Sequence, residues 1–189
     1  MKIQAIVLNG TSSSGKTSVA QELQGLLPGS WLTLGADTFL TTLPPALRTS
    51  ESGILFGSEG QVEVGEEFAR LDRAWSLGVA TMVRAGAAVI VDEVFLGGRR
   101  SQDRWKSALA GLPVIWIGIR CRTEVAEARE RGRTDRTPGM ARIQADLVHA
   151  EVTYDLMVDT DTESSLECAQ KIAAFALQPR LRTGFDLLP

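Results

Sequence analysis

A glycine- and serine-rich run near the start of the chain has the residue types and spacing that hold phosphate groups. The motif GxxxxGK[ST] is matched in full by Gly10, Thr11, Ser12, Ser13, Ser14, Gly15, Lys16 and Thr17. Its glycines let backbone N–H groups turn toward one point, and the helix that follows adds partial positive charge. We expect Lys16 to reach the outer phosphates of a nucleotide and the Thr17 hydroxyl to ligate Mg²⁺. A mere surface turn is disfavoured, because an apolar run ends at Leu8 and an amphipathic pattern begins near Lys16.

Two aspartates follow predicted strands at positions suited to phosphoryl transfer. Asp37 comes three residues after the apolar run 31–34, and Asp92 ends the run 87–92. Parallel sheets place their sites at the carboxyl ends of the strands, so both side chains should face the phosphate loop. Transfer to an alcohol needs a base for the hydroxyl proton and a group that orients Mg²⁺. We assign Asp37 to the first task and Asp92 to the second.

Each carboxylate has an alternative interpretation. Asp37 could cap a helix that starts at Thr38, and this would not conflict with its acting as a base. Asp92 could be a solvated strand end. The neighbouring Glu93 could share either task.

A set of arginines is spaced for a second phosphate contact. Arg129, Arg133 and Arg136 follow one another by four and three residues, and Gly132 is expected to interrupt their helix. We predict that 132–139 is a lid loop in which Arg133 and Arg136 clamp the donor phosphates, stabilise transition-state charge and exclude water. The alternative is a solvated charged face, since acidic residues lie nearby: Glu127, Glu130 and Asp135.

The elements that must position these residues alternate along the chain. Apolar runs predict strands at 3–8, 31–34, 87–92, 114–119 and 154–158. Helical patterns fill the gaps, first after the phosphate loop and then at about 66–85, 99–109, 123–131, 140–150 and 164–177. Continuous apolar strands separated by helices indicate a parallel sheet covered on both faces. The fold class is therefore α/β, a three-layer P-loop NTPase with a five-stranded parallel sheet, of the nucleoside-monophosphate-kinase type.

The domain organisation is simple. Residues 1–178 are predicted to form one P-loop kinase domain, and the tail 179–189 has no clear pattern. Residues 44–65 are rich in proline and glycine and form an insertion on the acceptor side, in which 54–56 and 62–64 could pair as a hairpin.

Bulk composition excludes several classes of protein. The chain has 189 residues, 44% hydrophobic and 23% charged, with a net charge of −3 and no block of like charges, so neither nucleic acid nor a membrane is an expected partner. Cys121 and Cys168 are far apart, which indicates buried thiols in a reducing compartment, and the expected location is the cytoplasm. The only histidine, His149, is assigned a structural role. The sequence leaves a homo-oligomer open.

At this point the sequence resembles the chloramphenicol phosphotransferases, kinases that phosphorylate a primary alcohol of that antibiotic. The matching stretches are Leu8-Asn9-Gly10 through Thr17, Trp31-Leu32 with Gly35 and Asp37, Glu67-Phe68 with Ala74-Trp75, Val91-Asp92 with Val94-Phe95-Leu96-Gly97-Gly98, Arg120-Cys121, Asp135-Arg136 with Gly139-Met140-Ala141, and Val148-His149 with Tyr154-Asp155 and Val158-Asp159-Thr160. The resemblance implies that the phosphate loop binds ATP and that Asp37 is the catalytic base. The sequence departs from the family pattern in two places: Glu93 stands where aspartate is expected, and the insertion 44–64, which is expected to shape the acceptor pocket, differs from the family at most positions.

The sequence therefore predicts an ATP- and Mg²⁺-dependent kinase whose acceptor is a hydroxyl on a small neutral molecule resembling chloramphenicol. We expect an apolar acceptor pocket built around Phe39, Leu43, Leu55, Phe56 and Phe95. Arg48 is the only arginine between residues 35 and 65, and this scarcity of positive charge disfavours an anionic acceptor. The alternatives are a nucleoside, a sugar, a shikimate-like acid or a nucleotide sugar as acceptor, and a nucleotide-dependent switch without kinase activity. No NKxD run is present to read guanine, which favours ATP over GTP.

Overall fold

The structure is a computed structural model that describes residues 2–132 and 139–178. These residues form the strands β1 (Ala5–Asn9), β2 (Trp31–Gly35), β3 (Ile54–Phe56), β4 (Val62–Val64), β5 (Ala88–Glu93), β6 (Val114–Arg120) and β7 (Leu156–Asp159). The helices are α1 (Lys16–Leu26), α2 (Ala36–Thr42), α3 (Glu66–Arg84), α4 (Arg99–Ala108), α5 (Thr123–Arg131), α6 (Met140–Leu147) and α7 (Ser165–Leu177), and a short 3₁₀ turn covers Pro45–Arg48.

Five of the strands make one parallel sheet in the order β2-β5-β1-β6-β7. The three-layer α/β fold with a five-stranded parallel sheet is therefore confirmed. The strands β3 and β4 pair antiparallel at the predicted residues, as a hairpin separate from the sheet. The predicted helix 140–150 is shorter than expected, because α6 ends at Leu147 and the chain turns there.

The two faces of the sheet carry separate cores, because successive side chains of a strand point to opposite faces. On one face Ile90 of β5 packs with residues of α1 and α7. On the other face Val91 packs with residues of α3 and α4, among them Val79 and Trp105. This alternation continues to the end of β5, so it sends Asp92 and Glu93 to opposite faces.

The structure also shows the state of the two cysteines and the character of the helices. Both cysteines are free thiols; Cys168 is buried and Cys121 is half-buried. Among the described helices, none combines the length and the apolar character needed to cross a membrane.

Candidate active site

The phosphate loop connects the end of β1 to the start of α1 and is closely packed. A Cβ atom at Gly10 would overlap the carbonyl oxygen of Ile119 on β6, so only glycine fits there. Gly15, at the N-terminus of α1, has a φ of 90°, which an L-residue rarely adopts. Lys16 is only 6% exposed, and its Nζ donates a hydrogen bond to the carbonyl oxygen of Thr11 over 2.7 Å.

Four consecutive hydroxyl groups of this loop are buried and lack a hydrogen-bond partner within the described residues: those of Thr11, Ser12, Ser13 and Ser14. Such groups cost about 1–3 kcal/mol each when they stay unpaired, so a run of four is unusual. A phosphate chain offers many acceptor oxygens in a small space. The loop therefore fits a polyphosphate ligand.

The candidate metal site joins the first turn of α1 to the end of β5. The Thr17 hydroxyl donates a hydrogen bond to Oδ2 of Asp92 over 2.7 Å. A hydroxyl and a carboxylate are oxygen ligands of the kind Mg²⁺ takes, usually together with phosphate oxygens and water. In the described part of the chain, no group of three or more His, Cys, Asp or Glu side chains is arranged to hold a metal ion. Glu93 points to the other face and does not share this site.

Asp37 reaches the same region through a close contact between two strands. Gly35 of β2 pairs with Asp92 of β5, and a Cβ atom at Gly35 would overlap the carbonyl oxygen of Asp92. Asp37 follows in the first turn of α2 and is exposed. The alternative of a capping role at a helix beginning at Thr38 is wrong, because α2 begins at Ala36 and the N-cap position is Gly35.

A cavity of about 710 Å³ opens beside these groups and is lined by Lys16, Thr17, Asp37 and Asp92. One of its walls is apolar and comes from α2, the β3–β4 hairpin and α3: Phe39, Leu40, Ile54, Phe56, Val62, Val64 and Phe68. Phe39 anchors this wall, with its ring centroid 5.3 Å from that of Phe68 and 5.6 Å from that of Trp75.

The predicted apolar lining is correct for Phe39 and Phe56 and wrong for three other residues. Phe95 is fully buried in the core on the α3 and α4 face of the sheet, and its ring packs against that of Trp116. Leu43 is buried outside the cavity, and Leu55 points away from it because it alternates with Ile54 and Phe56 along β3.

Another part of the cavity lining, called here the charged wall, is charged and was not predicted. It consists of Glu93 at the end of β5, two residues of α3 and two of α4: Asp72, Arg73, Arg100 and Arg104. In the sequence Asp72 and Arg73 are adjacent, and Arg100 and Arg104 are four residues apart, but nothing local showed that both pairs line the same cavity. Arg48, in contrast, lies elsewhere and closes the end of α2 by donating to the carbonyl oxygens of Thr41 and Leu43.

The acids of this wall are perturbed by burial. Glu93 is only 5% exposed, and desolvation raises its pKa to about 8, against the opposing attraction of Arg104. Asp72 forms an ion pair with Arg104, with Oδ2 and Nη1 3.0 Å apart. Desolvation nevertheless raises the pKa of Asp72, because the pair lies largely out of water.

A second cavity, of about 280 Å³, lies on the other side of the phosphate loop and is lined by Ser13, Gly15, Ser18, Arg129, Thr160, Glu163, Ser164 and Ser165. Arg129 donates to the carbonyl oxygen of Thr160 over 2.7 Å, and the Thr160 hydroxyl donates to the carbonyl oxygen of Ser14 over 2.7 Å. Arg129 is thus fixed next to the loop. Arg133 and Arg136 lie outside the described residues.

The single histidine belongs to a hydrogen-bond network behind the phosphate loop. His149 Nδ1 and the Tyr154 hydroxyl are 2.7 Å apart, and Asn9 Nδ2 donates to the same hydroxyl over 2.6 Å. Asn9 also accepts a hydrogen bond from the backbone N–H of Phe95. This geometry ties β1 to the segments after β5 and α6, in keeping with a structural role for His149.

A family model described as chloramphenicol phosphotransferase-like protein matches residues 3–177. The chain belongs to this family. The family resemblance found in the sequence is therefore confirmed, and so is membership of the phosphotransferase class of enzymes.

Relatives agree with this assignment. A protein of Mycobacterium tuberculosis strain H37Rv, provisionally named an O-phosphotransferase, is 30% identical over 179 residues, which span 88% of this chain and 79% of the relative. A sugar kinase structure from Janibacter sp. HTCC2649 has a TM-score of 0.64 at 20% identity, covering 94% of this chain and 99% of the other. The APS kinase of M. tuberculosis, solved with AMPPNP and APS, has a TM-score of 0.63 at 18% identity, covering 92% and 96%. The two structures show that the fold is that of P-loop kinases.

Proposed function

We propose that the protein transfers the γ-phosphoryl group of ATP to a hydroxyl of a small neutral acceptor, with chloramphenicol or a similar aromatic alcohol as the first candidate. One observation carries the proposal: a single cavity is lined by Lys16, Thr17 and Asp92 on the phosphate side, by Asp37, and by an apolar wall. This is the arrangement that an alcohol kinase needs, because donor, base and acceptor must meet within a few ångströms.

The donor is held by the phosphate loop. In this proposal Ser12, Ser13 and Lys16, which line the larger cavity, contact the phosphates, and the smaller cavity beside Arg129 takes the nucleoside. Thr17 and Asp92 would hold Mg²⁺, which neutralises charge on the transferring group when it is bound. Arg133 and Arg136 complete the proposal as phosphate clamps in a lid at 132–139.

The acceptor side supplies the base. Asp37 takes the proton of the acceptor hydroxyl while that oxygen forms a bond to the γ-phosphorus. The bond to the bridging oxygen breaks, and its electron pair leaves with ADP. The insertion 44–65 contributes the hairpin side of the apolar wall, which would bury the aromatic part of the acceptor within the single domain 1–178.

The test is to incubate the protein with Mg·ATP and chloramphenicol and to look for the phosphate ester by mass spectrometry. Nucleosides, sugars and shikimate are run in parallel. The same assay is run on Lys16→Ala, which should lose transfer. Its control is Lys2→Ala, because Lys2 lies at the opposite end of β1 from the phosphate loop. Efficient phosphorylation of another acceptor but not of chloramphenicol would support the kinase activity and rule out chloramphenicol as the acceptor. Tight ATP binding without transfer to any acceptor would favour a nucleotide-dependent switch.

A further inference from the structure

The end of β5 carries a buried carboxyl group that the proposed reaction does not use. Glu93 is 5% exposed, lines the larger cavity, and points away from the face that holds Asp92 and Thr17. Among the described residues its carboxyl group accepts one long hydrogen bond, from the backbone N–H of Val94 over 3.3 Å. A buried carboxyl group normally accepts several, so Glu93 has hydrogen-bonding capacity to spare.

Its charged neighbours already balance each other. Asp72 of α3 and Arg104 of α4 are joined by their 3.0 Å ion pair, with side-chain exposures of 14% and 26%. The Arg104 Nε–H is buried and finds no acceptor in the described part of the chain. The cavity lining therefore contains a carboxyl group and a guanidinium N–H that both have unfilled hydrogen-bonding capacity.

We propose that Glu93 and Arg104 form an acceptor-selecting subsite, which binds a neutral amide or hydroxyl group other than the hydroxyl that is phosphorylated. The inference rests on the proposed function, which makes this cavity the acceptor site. Hereafter the pair is called the Glu93–Arg104 subsite.

The chemistry of the two side chains selects this class of group. Glu93 offers oxygens that need an N–H or O–H donor, and Arg104 offers N–H groups that need an oxygen acceptor. An amide supplies both through its N–H and C=O groups, and a hydroxyl supplies both through its single O–H group. A carboxylate supplies no donor and would add a third carboxyl group beside Glu93 and Asp72, and an apolar group would leave both side chains unpaired.

The position of the subsite gives the acceptor its general form. Asp37 marks the reacting hydroxyl, the wall of Phe39, Phe56 and Phe68 marks an apolar part, and the Glu93–Arg104 subsite marks a second polar part in the same cavity. Arg73 and Arg100 are exposed members of the same wall. An acceptor whose second polar part were anionic would use those two arginines instead, which makes the two cases separable.

The experiment measures equilibrium binding of four matched probes by isothermal titration calorimetry: 3-phenylpropanamide, 3-phenylpropan-1-ol, 3-phenylpropanoate and butylbenzene. The wild-type chain should bind the amide and the alcohol about tenfold more tightly than the other two, as expected for one or two paired buried groups. Glu93→Gln, whose amide oxygen keeps an acceptor at this position, should retain the preference, and Glu93→Leu should lose it.

The matched control is Glu63→Leu. Glu63 alternates with the cavity-lining Val62 and Val64 and is exposed, so this variant should keep the wild-type preference. Tighter binding of 3-phenylpropanoate, or equal binding of all four probes by the wild type, would overturn the subsite. The wild-type comparison needs no variant, so it stands even where Glu93→Leu folds poorly.

The binding measurements test the subsite, and the turnover measurements test the proposed function, so the two proposals can fail independently. A chain that phosphorylates an alcohol but shows no preference among the probes keeps the proposed function and loses the Glu93–Arg104 subsite. A chain that shows the preference but transfers phosphate to no acceptor loses the proposed function, and with it the statement that the subsite selects an acceptor.

Discussion

The Thr17 hydroxyl donates a hydrogen bond to the Asp92 carboxylate over 2.7 Å, while the next residue, Glu93, faces the other side of the sheet. This relationship decides between two neighbouring acids that the sequence left as alternatives for orienting the metal. Because a strand alternates its side chains, only one of them can lie beside α1. Asp92 therefore lies on the face of the sheet next to α1, where the proposed metal site is, and Glu93 lies on the face next to α3 and α4.

Asp92→Asn should raise the Mg²⁺ concentration needed for half-maximal transfer by about 10–100-fold, at least the loss seen for outer-shell partners of metal sites. Asparagine keeps the size of the side chain but removes its charge. Glu93→Gln is the matched control, and its Mg²⁺ dependence should equal that of the wild type. Titrations of initial rate against Mg²⁺ at saturating ATP measure both. A larger shift in Glu93→Gln than in Asp92→Asn would reverse the assignment.

Asp37→Asn should lower kcat by roughly 10²–10⁴, the usual range for loss of a general base. Nucleotide affinity should change little, because Asp37 lies on the acceptor side of the loop. Since the helix begins at Ala36 and Gly35 holds the N-cap position, loss of a cap cannot explain the effect. Single-turnover rates and ATP titrations separate chemistry from binding. Normal transfer by this variant would end the base assignment.

The parts of the fold that the sequence predicted are those set by local pattern. The hairpin 54–56 and 62–64 was predicted at its observed residues, because short apolar strands flank a glycine-containing turn. The phosphate loop was predicted because its strand, glycines and helix are contiguous. Strand ends were within two residues of the observed ones, as at β7, which begins at Leu156 rather than at 154.

What the sequence could not show depends on contacts between distant segments. Gly35 is needed because the backbone of Asp92 comes so close, and no local pattern around either residue reveals it. Phe95 and Phe68 are equally apolar, yet only Phe68 faces the cavity. Arg104 meets Asp72 across two helices. The arginines of the charged wall are distant from Asp37 in the sequence, so the small number of arginines near Asp37 did not reveal them.

Lys16→Ala should abolish nearly all transfer while the domain stays folded. In the proposed mechanism the ammonium neutralises charge that develops on the transferring group. Its hydrogen bond to the Thr11 carbonyl oxygen lies within the phosphate loop, so the substitution should leave the sheet and helices folded. Circular dichroism and a thermal melt check folding, and a coupled ADP assay checks turnover. The outcome that would remove the phosphate loop from the mechanism is wild-type turnover in a folded Lys16→Ala protein.

Replacing both Arg133 and Arg136 with alanine should weaken the use of ATP far more than the binding of the acceptor. Their proposed contacts are with donor phosphates, so KM for ATP and kcat should change while the acceptor KM stays near its wild-type value. The control is Arg142→Ala, an exposed arginine of α6 that pairs with Glu127 of α5. If the double variant and the control have the same ATP kinetics, the lid assignment is wrong.

The last prediction concerns the stability of the domain in acid. Burial lowers the pKa of His149 below its ordinary value of 6.5, and the nearby charges of Arg120 and Lys16 add to this effect against a hydrogen bond to the backbone of Ile119. The unfolded chain therefore takes up a proton near pH 6.5 that the folded chain refuses, so stability falls as the pH drops below that value. His149→Gln should show a flatter fall between about pH 6.5 and 5, measured by urea unfolding, even though losing the contact with Tyr154 lowers its stability at pH 8. The chain has one histidine, so its imidazole NMR signals are assigned directly. A titration midpoint at or above 6.5 in the folded protein would contradict the prediction.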